Sequence, residues 1–130
     1  MIESQTHYPM AEGQTRHAPP LSMVRRLGNT LYVSGHGAVN DKGEFVSPDF
    51  EEQMRYTMEQ LKATLEGEGV STSEVVMVRG YAQNPANLPL YNQLYRDYFS
   101  EPFPARTTIV GCLPPGLEFE IDCVAEVNSR

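Results

Sequence analysis

From Leu117 to Val127 the chain alternates between two kinds of side chain. Phe119, Ile121, Cys123, Ala125 and Val127 fall on one side of an extended strand, and Glu118, Glu120, Asp122 and Glu126 on the other. Successive side chains of a β-strand point to opposite faces, so this period of two demands a strand with one face buried and one face polar. A fold that contains it needs a sheet packed on one side. The acidic side meets water or another subunit.

The rest of the chain supplies partners for that strand. Met23 to Leu27 and Thr30 to Ser34 read as two short strands joined by Gly28-Asn29, a pair suited to a two-residue hairpin turn. Ser34-Gly35-His36-Gly37 is expected to break the second strand, with glycines that allow a tight bend or close approach of a ligand. Ser47-Pro48-Asp49 predicts a helix start with Ser47 as N-cap and Pro48 in the first turn. Phe50, Met54, Thr57, Met58, Leu61 and Leu65 then follow at helical spacing as one apolar face, ended by Gly67. The Val75-Val76-Met77-Val78 run predicts a strand covered on both faces. A second helix is expected from about Pro89 to Ser100, and a further strand from Arg106 to Leu113 before the turn Pro114-Pro115-Gly116. The order is β-β-α-β-α-β-β, which one mixed sheet with two helices on one face satisfies, an α+β fold. Residues 1–20 read as an irregular lead-in and 21–130 as a single domain.

Charge narrows the function. A formal net charge of −7 disfavours binding to phosphate backbones, and Arg25-Arg26 is too short a cluster to reverse it. No apolar run is long enough to span a membrane, and the first twenty residues lack the apolar stretch of a signal peptide, so a cytoplasmic location is expected. Cys112 and Cys123 form no C-x-x-C pair and read as small apolar strand residues in a reducing compartment, a disulfide between them being the lesser reading. His7, His17 and His36 show no metal-ligand spacing, and no phosphate loop, dinucleotide fingerprint or nucleophile elbow is present, so a cofactor-free reaction is expected.

Three places could carry chemistry. Arg106 opens a strand behind the stiff Phe103-Pro104-Ala105 segment, where a planar guanidinium suits a carboxylate clamp, although a lone arginine also commonly forms a surface salt bridge. Glu120, on the polar face of the last strand, could orient or deprotonate a water. It would lie beside Arg106 if the two strands form a hairpin through Pro114–Gly116, and it could equally be one solvated acid among four. Ser34, Gly35 and His36 could meet a ligand, His36 with a pKa near neutrality, and a histidine in such a bend is also often structural.

Taken together, the residues resemble a family. Its marks are Gly28-Asn29 followed by Ser34-Gly35, then Gly43-Glu44, Gln53, Val75-Val76, Asn92, Tyr95, Tyr98-Phe99, Phe103-Pro104-Ala105-Arg106, Leu113-Pro114 and Glu118-Phe119-Glu120-Ile121. In order and spacing, over about residues 22–127, they resemble the Rid family, also called YjgF-type or L-PSP-type, whose archetype is an enamine/imine deaminase. The resemblance implies a chorismate-mutase-like α+β sheet, a homotrimer with clefts between subunits, and no cofactor. It implies that Arg106 grips the substrate carboxylate and that Glu120 positions the attacking water. Ser34, Gly35 and Asn92 would line the cleft. The implied activity is that of a 2-iminobutanoate/2-iminopropanoate deaminase-like hydrolase, turning 2-aminoacrylate-type intermediates into a 2-keto acid and ammonia. Such an imine carbon is already electrophilic, so orientation of the water matters more than strong activation.

The chain departs from the family pattern at three cleft positions. His36 follows Ser-Gly where glutamine is frequent, Thr108 stands where the archetype has cysteine, and Leu21 stands where it has a cleft aromatic. These keep two alternatives open: a non-catalytic carboxylate-binding or chaperone-like member, and a pathway-specific enzyme that uses the same cleft for another reaction with His36 as proton carrier.

Overall fold

The computed structural model describes residues 19–128, and the expected lead-in falls almost wholly outside them. Strands β1 (Val24–Leu27) and β2 (Thr30–Gly37) form the hairpin across Gly28-Asn29. Helix α1 (Phe50–Gly67) leads through a short 3-10 turn to β3 (Val75–Ala82). Helix α2 (Leu88–Tyr95), β4 (Ala105–Val110) and β5 (Phe119–Glu126) complete the predicted order.

The alternating segment of residues 117–127 forms the middle of the sheet. The five strands run β1-β2-β5-β3-β4, with β5 antiparallel to both β2 and β3. Phe119, Ile121, Cys123 and Ala125 are buried against the helices, while Glu120 and Asp122 face the side that no helix covers. The expected face of α1 is buried in full: Phe50, Met54, Met58, Leu61 and Leu65 join the core, and Thr57 is buried beside them with its hydroxyl on the Gln53 carbonyl. From α2, Tyr91, Leu94 and Tyr95 enter the same core.

Several expectations are corrected. Ser47 is not the N-cap of α1. Asp49 is, accepting a hydrogen bond from the Glu52 amide at 3.0 Å, while the Ser47 hydroxyl accepts from the Asp49 amide. Pro48 therefore lies before the helix. Helix α2 begins close to the expected place but is shorter, because its regular hydrogen bonding ends at Tyr95 and gives way to i→i+3 turns in which the Asp97 and Tyr98 amides bond to Leu94 and Tyr95. The strand after Phe103-Pro104 stops at Val110, so Cys112 is an exposed free thiol in the following turn, whereas Cys123 is buried in β5. Strand β3 is not covered on both faces: Val76 and Arg79 are exposed. Among the described residues no helix is long and apolar enough to cross a membrane.

Two corrections decide where the candidate site residues go. Strand β4 does not pair with β5. It lies parallel to β3 at the sheet edge, and the Pro114-Pro115-Gly116 segment carries the chain back to the centre of the sheet. Strand β2 also does not break at Ser34. Val33 faces Cys123 and His36 faces Ile121, so three steps on β2 match two on β5, a β-bulge with Ser34-Gly35 opposite Asp122.

Candidate active site

The bulge sorts the Ser34-Gly35-His36 trio. One extra residue restores the inward parity, so His36 points to the same buried side as Val33. There Nε2 lies 2.8 Å from the Thr64 hydroxyl of α1, and Nδ1 lies 2.8 Å from the Ser34 carbonyl. Burial holds its pKa below the ordinary histidine value, against the opposing pull of the Ser34 carbonyl. His36 is thus a packing residue tying β2 to α1, apart from the other candidates. Ser34 and Gly35 stay on the uncovered side, where the Ser34 hydroxyl donates to the Ser22 carbonyl at 2.6 Å.

Glu120 lies against Gly35. A methyl carbon placed on Gly35 would come within 2.5 Å of Glu120 Oε2, so the carboxylate occupies the space a side chain there would fill. Next to it on the same face, Asp122 accepts from the Tyr81 hydroxyl at 2.8 Å and from Arg79 Nε at 2.9 Å. Burial and the Asp122 hydrogen bond push the Tyr81 pKa up to about 12, so its proton stays on the oxygen at neutral pH. A hollow of about 390 Å³ adjoins this group, lined in part by Ser34, Gly35, Arg79 and Asp122.

Arg106 stands elsewhere. It pairs with Val78, whereas Glu120 pairs with Tyr81, three residues further along β3. Directly paired residues share a face and faces alternate along a strand, so Arg106 and Glu120 lie on opposite faces of the sheet. The expected hairpin neighbourhood of the two is therefore absent within one chain. Arg106 points to the helix side, where its terminal nitrogen donates to Asn92 Oδ1 at 2.8 Å. Its guanidinium carbon sits 4.8 Å from the Tyr91 ring centre and 4.7 Å from that of Tyr95. Among the described residues no carboxylate pairs with it, in contrast to Arg55 with Glu51 and Asp97, and Arg79 with Asp122. Thr108 follows on the same face, paired with Gly80. Asn92, Tyr95, Arg96, Phe103, Pro104 and Arg106 enclose a cleft of about 210 Å³.

The candidates thus form two groups, Arg106, Asn92 and Thr108 at the β4 edge, and Ser34, Gly35 and Glu120 on the uncovered face. Leu21 is exposed, and among the described residues no group of three metal-ligating side chains occurs. Tyr91 and Tyr95 lie together on the side of the second helix, as their i,i+4 spacing indicates, but nothing in the sequence pointed to their place against Arg106.

Comparison with known proteins agrees with this architecture. The family described as Endoribonuclease L-PSP matches residues 15–127. A RutC family protein of Pyrococcus horikoshii is 34% identical over 117 residues, covering 85% of this chain and 93% of the relative. A 2-iminobutanoate/2-iminopropanoate deaminase of Dermatophagoides farinae is 31% identical over 111 residues, covering 84% and 87%. The crystal structure of a Rid-family protein of unknown function from Yersinia pestis superposes with a TM-score of 0.77 at 33% identity, over 97% of each chain. The chain belongs to the Rid, or L-PSP, family.

Proposed function

We propose that this protein hydrolyses enamine or imine intermediates that carry a carboxylate, releasing a 2-keto acid and ammonia. The observation that carries the reading is the guanidinium of Arg106, held by Asn92 and two tyrosine rings in a concave cleft with no carboxylate partner among the described residues. An arginine of this kind keeps its planar fork for an anionic ligand. The naming of a relative as a 2-iminobutanoate/2-iminopropanoate deaminase supports a substrate with a carboxylate next to a C=N carbon.

The site is completed by a second copy of the chain. Arg106, Asn92 and Thr108 of one subunit face Ser34, Gly35 and Glu120 of the next across a homotrimer interface, since one chain holds the two groups on opposite sheet faces. In the reaction, an enamine first takes a proton on carbon and gives one up from nitrogen, becoming the imine. Glu120 accepts a proton from water as its oxygen bonds to the imine carbon and returns it to nitrogen, giving a carbinolamine. The hydroxyl proton then passes through Glu120 to nitrogen as the C–N bond breaks, which leaves the C=O of the keto acid and free ammonia. Arg106 fixes the carboxylate so that the carbon meets the water. Nuclease activity is not favoured: the net charge is −7, and Glu120 and Asp122 line the uncovered face.

The test uses an imine generated in situ by a dehydratase, with keto-acid release followed against the uncatalysed background. Arg106→Ala and Glu120→Ala are each expected to lose the acceleration. Unfolded together and refolded as mixed oligomers, the two regain about a quarter of it, because one site in four then joins a native Arg106 to a native Glu120. Full activity in Arg106→Ala refutes the role of Arg106 in gripping the carboxylate, and no acceleration of any such imine by the native protein refutes the deaminase reading. Two inactive parents whose mixture stays inactive refute the shared site.

A further inference from the structure

Resting on that reading, we infer that Tyr91 is a positioning residue: its ring, held in a notch left by Gly80, sets the pose of the Arg106 guanidinium for a carboxylate ligand. Arg106 needs such support. It is exposed on β4, an edge strand with a neighbour on one side only. A free arginine side chain there would lose about 2 kcal/mol of rotamer entropy on gripping a ligand.

The structure supplies a corner to hold it. Tyr91 and Tyr95 are four residues apart on α2, their rings stand at 84° to each other, and both lie within 5 Å of the guanidinium carbon, at 4.8 and 4.7 Å. The corner is fixed from behind. Tyr91 is fully buried, edged by Phe119 at 5.8 Å. Its hydroxyl enters the place where a side chain on Gly80 would stand, so any methyl there collides with the Tyr91 oxygen.

The hydroxyl itself is not what the core requires. It is buried and meets no partner in hydrogen-bonding geometry, though Thr108 and Arg106 lie close enough to oppose the rise that burial gives its pKa. A buried hydroxyl without a partner costs stability, which phenylalanine would avoid. What lies beneath Arg106 is the ring, 4.8 Å from the guanidinium carbon, and not the hydroxyl. Gly80, Tyr91 and Arg106 form one line from the sheet through the helix to the cleft.

The experiment reads Arg106 directly. The side-chain Nε–H signal of Arg106, assigned by its loss in Arg106→Ala, is followed by NMR while 2-oxobutanoate is titrated in. In the native protein the two rings are expected to shift this signal and the anion to move it further. Tyr91→Leu is expected to return it toward the free-arginine position and weaken anion binding about two- to fivefold, the factor for one such contact at a partly exposed site. Tyr91→Phe restores both. Gly80→Ala, which keeps the tyrosine and the arginine but drives the ring from its notch, behaves like Tyr91→Leu, and adding Tyr91→Phe to it relieves part of the effect, since the ring carbon Cζ still stands 2.9 Å from the new methyl. With turnover as readout, the loss appears in KM more than in kcat. An unchanged Arg106 signal and unchanged affinity in both folded variants overturn the inference and leave the deaminase reading standing. A native Arg106 signal that ignores the anion overturns the carboxylate role itself, and the inference with it.

Discussion

Replacing Gly35 by alanine is the sharpest perturbation of Glu120 that leaves Glu120 itself intact. The new methyl would stand 2.5 Å from Oε2 and 3.3 Å from the carboxyl carbon. Ordinary contact needs about 3.4 Å, so the carboxylate must retreat by about 1 Å. The retreat is cheap, because the obstacle is the far end of a flexible side chain. An off-rotamer χ angle costs about 0.5–1.5 kcal/mol. The loss of a glycine from the unfolded chain returns about 0.4–1 kcal/mol. The two nearly cancel, and the melting temperature should move by less than about 5 °C. The reaction has no such compensation, since a reacting group displaced by about 1 Å can cost a factor of about 100. Gly35→Ala should therefore fold normally, bind 2-oxobutanoate nearly as the native protein does, and release keto acid from the imine about a hundredfold more slowly. Paired thermal melts and initial rates decide the matter. Native turnover in a folded Gly35→Ala protein would refute the placement of the attacking water by Glu120, and a loss of many degrees would refute the argument that its side chain yields.

Gln53 is buried in α1 and bonds three backbone groups, the carbonyls of Ser47 at 2.6 Å and Gly116 at 2.9 Å and the amide of Glu118 at 2.8 Å. Gln53→Ala should lose about 3 kcal/mol and lower the melting temperature on the order of 10 °C, and a fall of less than about 3 °C by calorimetry would show that water replaces these bonds freely. His36 gives a pH dependence whose sign follows from its lowered pKa. The unfolded chain, with the ordinary value of 6.5, takes up the proton before the folded one does, so stability falls as pH drops below 6.5 toward the lowered native value. Urea midpoints at about pH 7.5 and 5.5 should show this fall in the native protein and a smaller one in His36→Gln; equal slopes would contradict it.

The parts of the fold legible in the sequence are those where one local period decides the outcome. The α1 face from Phe50 to Leu65 and the β5 alternation needed no knowledge of distant segments, because each is a row of apolar residues that one neighbour must cover. The bulge at Ser34-Gly35 was not legible as such. Two glycines flanking a histidine suit a broken strand as well as a strand with one residue too many, and only pairing with β5 decides between them. That pairing also turns His36 inward, which no local pattern announced. The same limit applies to Arg106 and Glu120: Arg106 bonds to Asn92, with Thr108 next on its face of β4, but the partner strand of each could not be read from turn residues. Pro114-Pro115-Gly116 looks like a hairpin turn and serves as a crossing loop.

The reason for that crossing lies in the strands themselves. β5 presents four buried side chains in alternation and can be flanked on both edges, as it is by β2 and β3. β4 presents Arg106, Thr107 and Thr108, which leave little to bury, and such a strand belongs at an edge. Sequence polarity thus sends the cation to the rim of the sheet and the acid to its middle, on the other face. On the reading proposed above, the same division dictates assembly. A site that needs both groups requires the rim of one copy to meet the uncovered face of another. Such a contact would use two different patches, which repeat from copy to copy and form a ring where the rotation closes. In that assembly each contact would cover one uncovered sheet face and complete one cleft, so a single interface would unite the cation and the acid that one chain holds on opposite faces.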